Sequence, residues 1–117
     1  ADEWCFLGQV YLSTYELAKA HASFKKSIDL DPNNANAYYY LGIYYRFKKD
    51  LPKAEHSFIK TLQLDSNNAK AHGNLGLIFI EKKQYNKSKA HFQRALEINP
   101  QDELARGKIR ALERNGY

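Results

Sequence analysis

The 117-residue chain holds little of what breaks or staples a fold: one cysteine, three prolines and six glycines. The lone Cys5 excludes an internal disulfide and any metal site built on several thiolates. It is compatible with a reducing compartment, and a cytoplasmic location is the expectation. Sparse Gly and Pro leave little room for long irregular stretches, so helix is the default reading. No apolar run approaches the ~20 residues that a bilayer-crossing helix needs, so no membrane span is expected. No basic-then-apolar leader opens the chain either. It starts at Ala1 rather than Met, which suggests a piece excised from something longer. Paired carboxylates, a nucleophile–base set and a glycine-rich phosphate loop are all missing, so neither an enzyme nor a cofactor is expected. With 44% apolar and 26% charged residues, the composition is that of a soluble globular domain. The length suits one domain spanning 1–117.

What is present is a period. "WCFLGQVY" at 4–11, "YYYLGIYY" at 38–45 and "HGNLGLIF" at 72–79 begin 34 residues apart. Downstream the phase persists through Ala20/Ala54/Ser88, Phe24/Phe58/Phe92, Ile28/Leu62/Leu96 and Pro32/Ser66/Pro100. Three units therefore run 1–34, 35–68 and 69–102. Within a unit the apolar residues recur at three-to-four spacing (Trp4, Leu7, Gly8, Tyr11, then Leu17, Ala20, Phe24, Ile28), which predicts two amphipathic helices and a short break. The tyrosine-rich stretch 38–47 is thus helical in spite of its strand propensity. Pro52 suits a first helical turn, and Asn34 and Asn68 stand where N-caps are wanted.

The period, the aromatic–Leu–Gly–aromatic block, the Ala/Phe pair and the closing Pro together resemble the tetratricopeptide repeat over essentially the whole chain. The resemblance implies an all-α fold: a right-handed superhelical α-solenoid of three helix-turn-helix units. Gly8, Gly42 and Gly76 would let paired helices approach, opposite small Ala20, Ala54 and Ser88, with Phe24, Phe58 and Phe92 wedged between helices. The glycine usual at the turn is replaced by Tyr15, Lys49 and Lys83. Residues 103–115 read as a capping helix with an apolar stripe of Leu104, Ala105, Ile109 and Leu112, ended by Gly116. Arg110 and Glu113 give it the polar outer face that solenoids need.

The resemblance also implies a concave groove lined by first helices, and a protein or peptide partner laid in it. The places it marks include Asp2, Cys5, Gln9 and Leu12; Tyr39, Tyr40, Ile43, Arg46 and Phe47; and Lys70, Asn74, Leu77, Ile80 and Glu81. Tyr38 and Tyr45 fall in core phase, and Tyr44 against the preceding hairpin. The family's best-known ligand is an acidic chaperone tail, whose terminal carboxylate is held by a clamp of Lys, Asn and Arg. Here the clamp places hold Cys5, Gln9, Ile43, Gly73 and Leu77, with no charge among them. A carboxylate anchor needs charge-assisted bonds, so such a tail is not the expected partner. An apolar or amphipathic segment is, bound by a non-catalytic adaptor. The alternatives are a substrate-recruiting arm of a larger enzyme or secretion assembly, a small chaperone for a hydrophobic client, and self-association.

The formal charge of +5 is uneven, from −2 in the first unit to +2, +3 and +2 in the later segments. Lysines such as those of "RFKKD" lie at hairpin turns as solvated faces. No base-reading motif accompanies them, so nucleic acid is not expected as a partner. His21, His56, His72 and His91 occupy different places in their units and form no i, i+4 pair, so no metal site is read from them.

Overall fold

The computed structural model describes residues 2–117, without the side chain of Asp2. Among the described residues there are seven α-helices and no strand. They are α1 (Asp2–Ser13), α2 (Leu17–Leu30), α3 (Ala35–Phe47), α4 (Leu51–Leu64), α5 (Ala69–Glu81), α6 (Tyr85–Ile98) and α7 (Glu103–Arg114). The chain divides into two compact units between Asp65 and Ser66. In the first unit α1 pairs with α2 and α3 with α4, and α3 also lies against α2 and α1. In the second α5 pairs with α6, which carries α7.

Each hairpin closes around one ring. Phe24, Phe58 and Phe92 are fully buried. A Cβ placed on Gly42 would lie 2.7 Å from Phe58 Cε1, and one on Gly76 would lie 2.7 Å from Phe92 Cε2. Gly8 meets Phe24 in the same way. The glycines are therefore the floor on which the rings rest. Ala20, Ala54 and Ser88 are also fully buried. The Ser88 hydroxyl donates to the Gly76 carbonyl at 2.7 Å, a direct mark of how closely α5 and α6 approach.

The turns inside the hairpins have one geometry. Tyr15, Lys49 and Lys83 have φ of 60°, 58° and 60°, in the left-handed region. The amide of each bonds back three residues, and the next amide reaches back five, as from Asp50 to the Tyr45 carbonyl at 2.9 Å. This double closure satisfies the last carbonyls of α1, α3 and α5. The left-handed conformation is the reason glycine is usual here. Between hairpins, Asn34 and Asn68 cap α3 and α5 by accepting from the amides of Ala37 and Ala71 at 3.1 and 3.0 Å. Asp102 does the same for α7 from Ala105 at 3.0 Å. Pro52 lies in the first turn of α4. Asn34 also donates to the Ser27 hydroxyl at 3.2 Å, tying the cap to the end of α2.

Two expectations about burial need correcting. Trp4, in core phase by periodicity, is 39% exposed. Its counterpart Tyr38 is half-buried and lines a cavity with Lys25 and Ile28 of α2. Leu104 is 53% exposed and lies outside the stripe, whereas Ala105 and Leu112 are buried against Phe92 and Ala95 with Ile109 beside them. The helix stops at Arg114, and Gly116 follows with φ of 90°. Lys89 of α6 fastens α7 through Glu113 at 3.4 Å and the Tyr117 carbonyl at 2.8 Å.

Candidate peptide-binding face

In the first unit the marked residues separate into two depths. Cys5 and Leu12 are buried, forming a cluster with Ala20, Phe24, Ala37 and Leu41. They are packing residues with little surface for a ligand. Tyr40 and Ile43 pack on that cluster and stay half-buried. The Tyr40 ring stacks on Phe24 of the preceding hairpin at 6.1 Å. Tyr39 leans on Phe58 at 5.7 Å and meets Tyr40 edge-on at 5.0 Å. Phe47 is 44% exposed and its ring lies 6.1 Å from that of Tyr15. Gln9 is half-buried, with its amide 3.8 Å from the Cys5 sulfur. Tyr39, Ile43 and Phe47 recur at four-residue spacing, so they form one stripe along α3. Arg46 stands at its edge, half-buried.

The opposite side of α3 is filled from within. Tyr44 stacks on His21 of α2 at 4.9 Å, and Tyr45 meets the same ring at 6.1 Å. Burial holds the His21 imidazole below its ordinary range, and Lys25 and Lys53 add to this. Burial likewise raises the Tyr45 phenol. Tyr44 packs against the preceding hairpin as expected; Tyr45, expected in core phase, is half-buried and meets the same His21 ring.

In the second unit Lys70, Asn74, Leu77 and Glu81 follow one face of α5. Lys70 and Glu81 are exposed. The Asn74 amide donates to the Lys70 carbonyl at 2.9 Å. Leu77 and Ile80 pack against Phe92, Ala95, Ala105 and Leu112 and keep part of their surface. Nothing would meet a Cβ at Gly73. The marked place at Asp2 lies outside the described side chains.

Sequence spacing missed one juxtaposition. His72 and His91 are 19 residues apart, yet their Nδ1 atoms lie 3.1 Å from each other. The fourth and twenty-third places of a hairpin face one another across its two helices. The same places hold Tyr38 and Ser57 in the preceding hairpin, and both line a cavity of about 420 Å³ with Lys25, Ile28 and Tyr45. A search for i, i+4 pairs cannot find a contact made across the hairpin. Among the described residues no group of three or more His, Cys, Asp and Glu side chains converges, and no helix is long and apolar enough to cross a membrane.

Hairpins closed by a glycine-seated ring, repeated at a fixed period, define a helical-repeat domain of the tetratricopeptide class. The chain belongs to the family described as the cytochrome c-type biogenesis protein H TPR domain, which matches residues 1–106. Domains of this class are protein-interaction modules, and a general interaction role follows. No curated protein matches the chain in sequence. Among solved structures, the first TPR of Spaghetti (RPAP3) bound to the HSP90 peptide SRMEEVD is similar at a TM-score of 0.89 and 20% identity, over 96% of this chain and 89% of that one. The Arabidopsis OM64 TPR domain is similar at 0.89 and 23%, over 97% and 93%. MamA is similar at 0.89 and 24%, over 97% and 67%. At these identities the likeness is one of fold.

Proposed function

We propose that this domain is a non-catalytic adaptor whose first-helix faces bind an apolar or amphipathic segment of a protein partner. The observation that carries the reading is the Tyr39–Ile43–Phe47 stripe of α3: half-covered rings and a branched aliphatic, with Arg46 at the margin. An apolar centre with a polar rim is the pattern of binding hot spots. The corresponding places of α5, Leu77 and Ile80 between Lys70 and Glu81, repeat it in the second unit.

An acidic tail of the kind bound to the first TPR of Spaghetti is not the partner we infer. Cys5 and Leu12 are interior, and Gln9, Ile43, Gly73 and Leu77 offer no cation to a terminal carboxylate. The family description points to a second form of the reading. The domain would act as the substrate-recruiting arm of a larger assembly for cytochrome c-type biogenesis, and the segment to test first comes from a c-type cytochrome precursor. A chaperone for one hydrophobic client and self-association are the remaining forms.

Binding of such a segment is measured by fluorescence anisotropy. Tyr39→Glu with Ile43→Glu abolishes it while the helical circular dichroism is kept. Tyr39 rests on Phe58, so Phe47→Glu serves as a second variant whose side chain is more exposed, and it weakens binding at least tenfold. Unchanged affinity in the Phe47 variant, or micromolar capture of an EEVD-type tail, rules the reading out.

A further inference from the structure

We propose that His72 and His91 form a two-imidazole site in the second unit for a late first-row divalent cation of the zinc class. Its remaining coordination positions would be taken by water. The first observation is the approach of the two Nδ1 atoms to 3.1 Å. Two imidazoles bound to one tetrahedral ion at about 2.0–2.1 Å stand roughly 3.3–3.4 Å apart. The pair therefore needs to open by only a few tenths of an ångström.

The second observation is how His72 is held. Its Nε2 lies 3.3 Å from the Ser66 carbonyl oxygen. A carbonyl only accepts, so the ring hydrogen belongs on Nε2 and the Nδ1 lone pair points at His91. A backbone carbonyl behind the outer ring nitrogen is the usual support of a metal-binding histidine, since it fixes both tautomer and ring direction.

His91 is held differently. Its ring stacks on Phe79 at 5.4 Å and 16°. In the empty pair the one hydrogen between the nitrogens sits on His91 Nδ1. Entry of the ion moves His91 to its other tautomer: the Nδ1 hydrogen leaves, Nε2 takes one up, and no net proton is lost.

The charges around the pair are basic. Arg94 is the near cation on His72, and its guanidinium is engaged by Glu97 at 3.1 Å. Lys82 and Lys87 lie over the Phe79 ring on which His91 stacks, 5.5 and 5.7 Å from its centroid. Their repulsion excludes hard cations that bind by charge alone and leaves those that bond to nitrogen. It also sets the salt dependence: screening strengthens binding here, whereas loose binding to surface carboxylates weakens with salt.

The test is calorimetric titration of Zn²⁺ into the full, tag-free chain, with calcium as the hard-ion control. The expected result is one zinc per chain, no calcium binding, and affinity that holds or rises between 50 and 300 mM salt. His72→Gln and His91→Gln each lower zinc affinity at least tenfold, while His21→Gln and His56→Gln leave it unchanged. Imidazole ¹⁵N spectra of the unsubstituted chain provide a check that needs no variant: the Nδ1 signals of His72 and His91 move together as zinc is added. Zinc binding that survives both single variants, tracks His21 or His56, or moves neither Nδ1 signal overturns the proposal.

Discussion

At the scale of single residues, the molecule depends on contacts one atom deep. Gly42 lies under Phe58 with no room for a methyl group. Alanine would gain about 1 kcal/mol of helix propensity there, but forcing a fully buried ring aside costs typically ~1–3 kcal/mol. Gly42→Ala is therefore destabilising, as urea unfolding measures. In a Phe58→Ala background, itself about 3–5 kcal/mol less stable, the ring is gone and the same substitution becomes neutral or stabilising. A methyl that costs the same in both backgrounds would show that the ring is not what it meets. His21 makes the second case. Packed by Tyr44 and Tyr45 and flanked by Lys25 and Lys53, it resists protonation in the folded chain, while unfolded histidine takes a proton near 6.5. Below that value the unfolded state binds more protons, so stability is whole above pH 6.5 and falls as pH drops toward the depressed folded value. Thermal midpoints between pH 7.5 and 5 should decline, and His21→Phe should flatten part of that slope.

At the scale of elements, the helices end where local chemistry ends them, and three of those ends are strained. Tyr15, Lys49 and Lys83 hold a left-handed conformation that costs an L-residue about 1–2 kcal/mol. Glycine avoids this and gives back about 0.5–1 kcal/mol of unfolded-chain entropy. Lys49→Gly and Lys83→Gly should each stabilise the fold by roughly 0.5–1 kcal/mol, measured by chemical denaturation. Tyr15→Gly should gain less, because the Tyr15 ring also meets Phe47. This was legible in the sequence as a departure from a family pattern; the backbone angle shows what the departure costs. The caps were legible as well, since Asn34 and Asn68 recur in phase and their carbonyls do one local job. The end of α7 was nearly legible, but Leu104 was not. An apolar residue one place off the buried face looks the same in sequence as one on it.

At the scale of the whole molecule, charge and compactness divide the chain. Up to Asp65 there are eight basic and eight acidic side chains; from Ser66 on there are ten and five, so the entire net charge belongs to the second unit. Acidic groups on any partner would be attracted to that unit over long range, while the aromatic stripe of α3 lies in the neutral one. Periodicity by itself determined two amphipathic helices in each repeated unit, because that pattern is written in residues three or four apart and repeated in register; the hairpin pairing and the rings that close it were what the family resemblance implied. Only the tertiary structure decided which marked residues keep a surface, since depth depends on what the neighbouring helix contributes: Cys5 and Leu12 went inward and Phe47 stayed out. It alone brought His72 to His91 as well, because two side chains on different helices meet through packing that no spacing along the chain records.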